Sequence, residues 1–224
     1  MITEKRRWIM PADDDDKKII IEAIKNASFK VSNLEKFYNS RGEEIPVKPV
    51  LWLCRCGASK NKPFCDGTHK SSGFSDEKTE HRLKDRWRDY SGQKIIVHDN
   101  RSLCSHSGVC TRGLSAVFNT AKRPWIHPDG APANDVAEIV KKCPSGALSY
   151  TIDGARYPES ESEAAVIISK HGPLNVTGGI EFKDEHGEKP ASVARYSLCR
   201  CGASKNKPFC DGSHLEVKFR DENN

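Results

Sequence analysis

The sequence lacks long hydrophobic runs. No stretch approaches the roughly eighteen apolar residues that a membrane-crossing helix needs, and the start, Met1 to Arg7, lacks the apolar core of a secretory signal. Hydrophobic residues make up only 36% of the chain against 30% charged. That is lean for one large core and points to small units stapled by metal. Strong net charge is also missing. At +5 over 224 residues, the balance does not demand nucleic acid, and no aromatic-and-basic face supports it. There is no nucleophile–base pair, phosphate loop or nucleotide motif, so the sequence does not predict an enzyme. The cysteines do not come in an even number. Nine of them argue against a closed disulfide framework and for a reducing, cytoplasmic compartment.

What the chain does have, it has twice. Cys54-Arg55-Cys56 opens a segment that runs through Lys62-Pro63-Phe64-Cys65-Asp66-Gly67-Thr68-His69. The same fourteen residues return from Cys199 to Gly212, followed by Ser213-His214. Each copy offers three thiols and an imidazole, a complete ligand set for a soft metal centre. Structural zinc usually takes paired cysteines two to four residues apart, and Cys54-x-Cys56 is too tight for that knuckle. Two ligands close in sequence can share one iron of a 2Fe–2S core, leaving the later Cys and His for the other; His can replace Cys and raise the potential. A Cys3His zinc site stays open as the alternative.

The pattern C-x-C-x2-S-x3-P-x-C-D-G-S/T-H resembles the CDGSH iron–sulfur proteins, the mitoNEET-like family, and both copies match it in full. The resemblance implies one 2Fe–2S cluster on Cys54, Cys56, Cys65 and His69 and another on Cys199, Cys201, Cys210 and His214. It implies roles in electron transfer, cluster transfer or redox sensing. Its members are strand-sharing homodimers or tandem-motif monomers.

The repeat extends beyond the ligands at a constant offset: Lys25 matches Lys170, Val31 matches Val176, Phe37 matches Phe182, Leu53 matches Leu198, and Phe74 matches Phe219. Each copy is therefore a small domain, expected over 19–76 and 166–224. Strands are expected at Phe29-Lys30-Val31 and Val50 to Leu53, with counterparts at Leu174-Asn175-Val176, Ile180-Glu181-Phe182 and Ala194 to Leu198. One such module buries too little surface alone. The expected fold class is α+β: two β-rich modules pairing as an intramolecular pseudodimer in a monomer, with an α+β ferredoxin-like domain inserted between them. Residues 1–18, with the block Asp13 to Asp16, read as a solvated leader. Residues 77–92 read as a charged linker or short exposed helix that Trp87 anchors, and 158–165 as an acidic linker.

Residues 93–157 carry the other three cysteines. A strand is expected at Lys94 to Val97, a helix around Val136, Ile139 and Val140 with Asp135 as its cap candidate, and a strand at Leu148 to Ile152. Cys104 and Cys110 precede a Cys143-Pro144 that follows the helix, the layout of a bacterial-type ferredoxin. The pattern C-x-H-x-G-x-C … R-P-W-I … C-P-x-G-A-L resembles the divergent single-cluster ferredoxin-like domain. Ser107 stands where a further thiolate belongs. A 3Fe–4S cluster on Cys104, Cys110 and Cys143 is the first choice. The alternative is 4Fe–4S with His106, Ser107 or water at the last corner.

The expected function is electron transfer with a redox partner protein, and the alternative is cluster donation to an apo-acceptor, storage or redox sensing. No membrane partner is expected. Lys60, Lys62, Lys205 and Lys207 could attract an acidic partner. His81, His98, His127, His171 and His186 read as surface residues. Asp66 reads as the N-cap of a short helix holding His69, whose N-terminus would face the cluster. Because the motifs match, His69 and His214 should behave alike. Protein made under iron-replete conditions should contain iron and acid-labile sulfide for two 2Fe–2S clusters and one larger cluster. Stoichiometric zinc without sulfide would end this reading.

Overall fold

The computed structural model describes residues 18–157 and 162–224. The expected leader, apart from Lys18, and residues 158–161 of the acidic linker lie outside them. The first repeat forms β1 (Ile20–Ala23), β2 (Phe29–Ser32), β3 (Phe37–Tyr38) and β4 (Val50–Leu53). In β2 the alternation Phe-Lys-Val-Ser buries Phe29 and Val31 and leaves Lys30 and Ser32 half-covered, the pattern of a strand with one face on a core.

The middle unit follows. It contains β5 (Trp87–Ser91), β6 (Ile96–Asn100), α1 (Val109–Gly113), α2 (Ala133–Lys141), β7 (Leu148–Ile152) and β8 (Ala155–Tyr157), with sheet order β5-β6-β7-β8. Val136 and Val140 on α2 are fully buried in a core with Val97, Phe118 and Ile126. Asp135 is not the cap. The helix starts earlier, Pro132 holds the N-cap position, and Asp135 sits in the first turn, where its charge suits the helix dipole. The reading of 77–92 as linker is corrected: Trp87–Ser91 within it form an edge strand paired with β6 from Trp87↔Asn100 to Ser91↔Ile96. Charged residues on the exposed edge hid it. Trp87 is indeed held, by the Arg156 guanidinium 5.0 Å above its ring.

The second repeat forms β9 (Ala165–Ile168), β10 (Leu174–Thr177), β11 (Glu181–Asp184), β12 (Arg195–Leu198) and α3 (Ser213–Glu216). The two repeats do not build separate sheets. One sheet runs β11-β1-β2-β4 and the other β12-β10-β9-β3. β1 pairs in parallel with β11, Ile21 opposite Phe182, and β9 pairs in parallel with β3, Val166 opposite Phe37. Each repeat thus lends its third strand to the other's sheet, and the remaining pairs are antiparallel. The inner faces share one core, in which Phe29, Val31 and Leu53 meet their repeat partners Leu174, Val176 and Leu198.

The middle unit is fixed to the second repeat. The Arg195 guanidinium donates to the carbonyls of Val140, Lys141 and Leu148, and Asn206 Nδ2 donates to the Ser102 carbonyl at 3.1 Å. The Arg195 charge therefore meets the carbonyl end of α2. Among the described residues, no helix is long and apolar enough to cross a membrane.

The exchange predicts coupled unfolding. Phe37→Ala empties a fully buried site at a cost of about 3–5 kcal/mol. Thermal melts followed by visible absorbance should show the centres of both repeats failing together. A second-repeat transition left unmoved would contradict the shared core.

Candidate metal centres

The two copies of the repeated motif have the same local build. β4 delivers Leu53 and Cys54, and the chain then turns through Gly57, whose φ is +79°. It returns as Cys65, whose N–H donates to the Trp52 carbonyl at 2.8 Å. Ser59 Oγ donates to the Phe64 carbonyl at 2.7 Å and accepts from Asn61 N at 3.0 Å, closing the loop. Ser204 Oγ repeats both bonds with Phe209 and Asn206. The Lys62–Pro63 and Lys207–Pro208 peptides are both cis.

In each motif the four candidate ligands stand as two pairs. The Cys54 and Cys56 sulfurs are 3.8 Å apart, and Cys65 Sγ lies 3.4 Å from His69 Nδ1. In the second motif Cys199 and Cys201 are 3.7 Å apart, and Cys210 lies 3.5 Å from His214 Nδ1. A tetrahedral metal with bonds of about 2.3 Å to sulfur and 2.0–2.1 Å to nitrogen sets two thiolates about 3.8 Å apart, and a thiolate and an imidazole about 3.6 Å apart. Each pair is therefore the bite of one metal, and the residues present fit a two-iron core. Among the described residues, no three His, Cys, Asp or Glu side chains close around one ion.

Asp66 is not the N-cap. Gly67 takes that position with φ +87°, and the helical turn Thr68–Lys70 is only three residues long, so little dipole faces the site. Asp66 instead ties the turn, accepting from Thr68 N at 3.0 Å, Thr68 Oγ1 at 2.6 Å and Lys60 N at 2.8 Å. The Thr68 hydroxyl, first among these donors, holds its carboxyl well below the usual carboxylate range.

The sequence reading gave no role to the arginine between the paired thiols. Arg55 is buried and bonded to buried Asp76 at 3.1 Å, with the Phe29 ring 5.1 Å from its guanidinium. Arg200 and Asp221 repeat the buried pair. Each guanidinium also feels a thiol of the opposite repeat, Arg55 that of Cys199 and Arg200 that of Cys54. A fixed cation thus stands near each set of thiolates. The signal was available: Asp76 and Asp221 follow the identical arginines at one spacing.

The two sites are not equivalent in their surroundings, although their motifs match. Cys65 and His69 are half-buried, whereas Cys210 is 3% and His214 7% exposed. Burial pushes Cys54 up to about 11 and Cys210 well above an ordinary thiol, and it pushes His214 down. Within the Cys199–Cys201 pair the S–H···S contact favours one thiolate beside one thiol. Bound metal would settle thiolates in such surroundings. Of the loop lysines, Lys60 and Lys205 are exposed. Lys62 and Lys207 instead donate to the Ser59 and Ser204 carbonyls at 2.6 and 2.8 Å, so they are not free surface charges. Among the other histidines, His98 is buried between Asp89 and Thr151, at 2.7 and 2.8 Å, another correction.

In the middle unit Cys104, Cys110 and Cys143 line one cavity, with Ser107, Arg101 and Trp125 on its wall. Cys110 reaches it from the short α1, which the sequence reading missed. Burial pushes Cys110 up to about 11 and raises Cys104 as well. Three converging thiols with a hydroxyl beside them fit an iron–sulfur cluster. His106 does not line this cavity. Its φ of +56° belongs to a turn that sets its ring against Gly212 of the second motif.

Comparison with known proteins agrees with this layout. The family described as iron-binding zinc finger CDGSH type matches residues 26–70 and 171–215. The family described as divergent 4Fe-4S mono-cluster matches residues 90–153. The uncharacterized protein YjdI of Escherichia coli (strain K12) is 45% identical over 64 residues, which is 29% of this chain and 84% of that relative; YjdI of Escherichia coli O157:H7 matches equally. The middle-unit match names a 4Fe–4S cluster. The 3Fe–4S first choice is therefore not supported, and its 4Fe–4S alternative is the one that matches.

The buried ion pair yields a prediction. Burial alone would raise the Asp76 carboxyl, but the Asn26 N–H and Arg55 outweigh it and hold the group below its ordinary value. Its stabilisation is therefore complete above the unfolded-state pKa of about 4 and is lost as pH falls through and below it. Asp76→Asn should cost about 3 kcal/mol at neutral pH. The gap between wild-type and variant denaturant midpoints should narrow as the pH is lowered past 4; a constant gap would contradict the assignment.

Proposed function

The chain belongs to the CDGSH iron–sulfur family, and from that membership we propose that it is a three-centre electron carrier rather than a catalyst. Cys54, Cys56, Cys65 and His69 hold one 2Fe–2S cluster; Cys199, Cys201, Cys210 and His214 hold the second. Cys104, Cys110 and Cys143 would hold a 4Fe–4S cluster, with Ser107 on the wall of the same cavity. Bound clusters supply one-electron redox chemistry. The polypeptide supplies the ligand bites, the buried Arg55 and Arg200 that offset thiolate charge, and the walls that exclude water. The observation that carries the reading is the pairing of ligands at single-metal bite distance in both motifs.

The two CDGSH modules act as one intramolecular pseudodimer over 19–76 and 166–224, a reading supported by the reciprocal strand exchange. The ferredoxin-like unit starts near Trp87 rather than residue 93, which the pairing of β5 with β6 supports. The cell compartment is a reducing one, as nine free cysteines favour, and the partner is a soluble one-electron carrier protein.

Cluster donation is the second reading, favoured by the half-buried Cys65 and His69 of the first motif. One experiment separates the two. The reconstituted protein is mixed with a reduced ferredoxin-class carrier and, separately, with an apo-ferredoxin. Electron transfer predicts rapid bleaching of visible absorbance with full retention of iron. Movement of cluster to the apo-protein, without electron exchange, would replace the carrier reading with the donor reading.

A further inference from the structure

The two CDGSH motifs are identical through Gly212, but their surroundings differ. Asn61, Lys62, Phe64, Cys65 and His69 are exposed or half-buried, and every one of their counterparts in the second motif is buried. The cover comes from the segment after the first motif and from the ferredoxin-like unit. Thr79 N donates to the Lys205 carbonyl at 3.3 Å. Asn206 is bonded to the Ser102 carbonyl at 3.1 Å.

The ligand-bearing loops of the two units also meet directly. A methyl group added to Gly212 would lie 2.6 Å from His106 Cδ2 and 2.8 Å from its Cγ, so the imidazole rests on the backbone there. His106 is two residues from Cys104. Gly212 is two residues from both Cys210 and His214. Successive Cα atoms are about 3.8 Å apart, so on each side a ligand backbone is within about 8 Å of the contact.

The first and second motifs also meet, through their glycines. A methyl at Gly57 would lie 2.5 Å from the Cys201 carbonyl oxygen, and one at Gly202 would collide with the Cys56 carbonyl. Only glycine lets these backbones pass so closely. No described contact of this kind joins the first motif to the ferredoxin-like unit.

We propose that the three centres are wired in series, with the second CDGSH centre as the covered middle link between the ferredoxin-like centre and the first CDGSH centre. The His106–Gly212 contact is one junction and the Gly57–Gly202 crossing is the other. The inference rests on the electron-carrier reading and adds its order. One electron enters at one end from a reduced one-electron carrier protein, each link is oxidised as the next is reduced, and one electron leaves to an oxidised carrier at the other end. The half-buried first motif, with Val50 and Trp52 exposed at 41% and 47% on the strand that leads into it, is one terminus. The ferredoxin-like cavity is the other. It shares Arg101 and Trp125 with an open groove that also presents Arg88 and Arg123, a cationic approach for an acidic carrier.

The test is the magnetic interaction between reduced centres, which falls steeply with separation. His69→Cys and His214→Cys each keep a ligand while lowering that centre's potential, so at a chosen potential that centre alone stays oxidised and silent. Electron paramagnetic resonance of the full reconstituted chain is then recorded at that poise. Broadening and faster relaxation of the ferredoxin-like signal should persist in His69→Cys and disappear in His214→Cys. Equal effects in both variants, or the reverse, would overturn the series. Electron exchange with the ferredoxin-class carrier is read separately. Its absence alongside the expected spectra would sink the carrier reading and leave the order of centres standing.

Discussion

Neither CDGSH sheet is complete without a strand from the other repeat. β3 and β11 cross over, so Phe37 packs against β9 and Phe182 against β1. That exchange has three consequences. It pools the apolar residues of two small modules into one core, which either alone would be too small to supply. It brings the ligand loops back to back, with Gly57 on Cys201 and Gly202 on Cys56. It sets each buried arginine near a thiol of the opposite motif. The metal sites therefore depend on the pairing, and loss of one repeat removes part of the environment of both.

The inserted unit breaks the symmetry that the exchange creates. Arg195 and Val50 occupy the same position in the two repeats. Arg195 clamps the ferredoxin-like unit through three carbonyls, whereas Val50 faces solvent. Ser197 is buried where its counterpart Trp52 is exposed. Duplicated ligands thus come to sit in two environments, one open and one covered. Burial and neighbouring charge tune iron–sulfur potentials, so identical motifs need not have identical chemistry.

Most of the ligand geometry was legible in the sequence, because spacing alone separates Cys54 and Cys56 from Cys65 and His69. The strands around Phe29, Val50, Leu174 and Tyr196 were legible from short runs rich in apolar and β-branched residues, and α2 from its periodicity. β1 and β9 were not singled out, although they seed the exchange. Their partners are distant in sequence, and nothing local to Ile20–Ala23 announces a parallel neighbour at Glu181–Asp184. β5 was hidden by its charges, since an edge strand can carry polar residues along its open side. The difference between His69 and His214 could not be read from matching motifs at all. It arises from what folds over the second loop, and His106 and Ser102 belong to another unit.

The central claim is that two ligand pairs in each motif hold two irons, and that the three thiols between the motifs hold a separate cluster. A crystal structure of the reconstituted protein with anomalous data across the iron edge tests it most directly. The account predicts two elongated two-iron peaks, each lying between a Cys–Cys pair and a Cys–His pair, and one compact four-iron peak enclosed by Cys104, Cys110 and Cys143. A single-ion peak equidistant from all four ligands of either motif would contradict it.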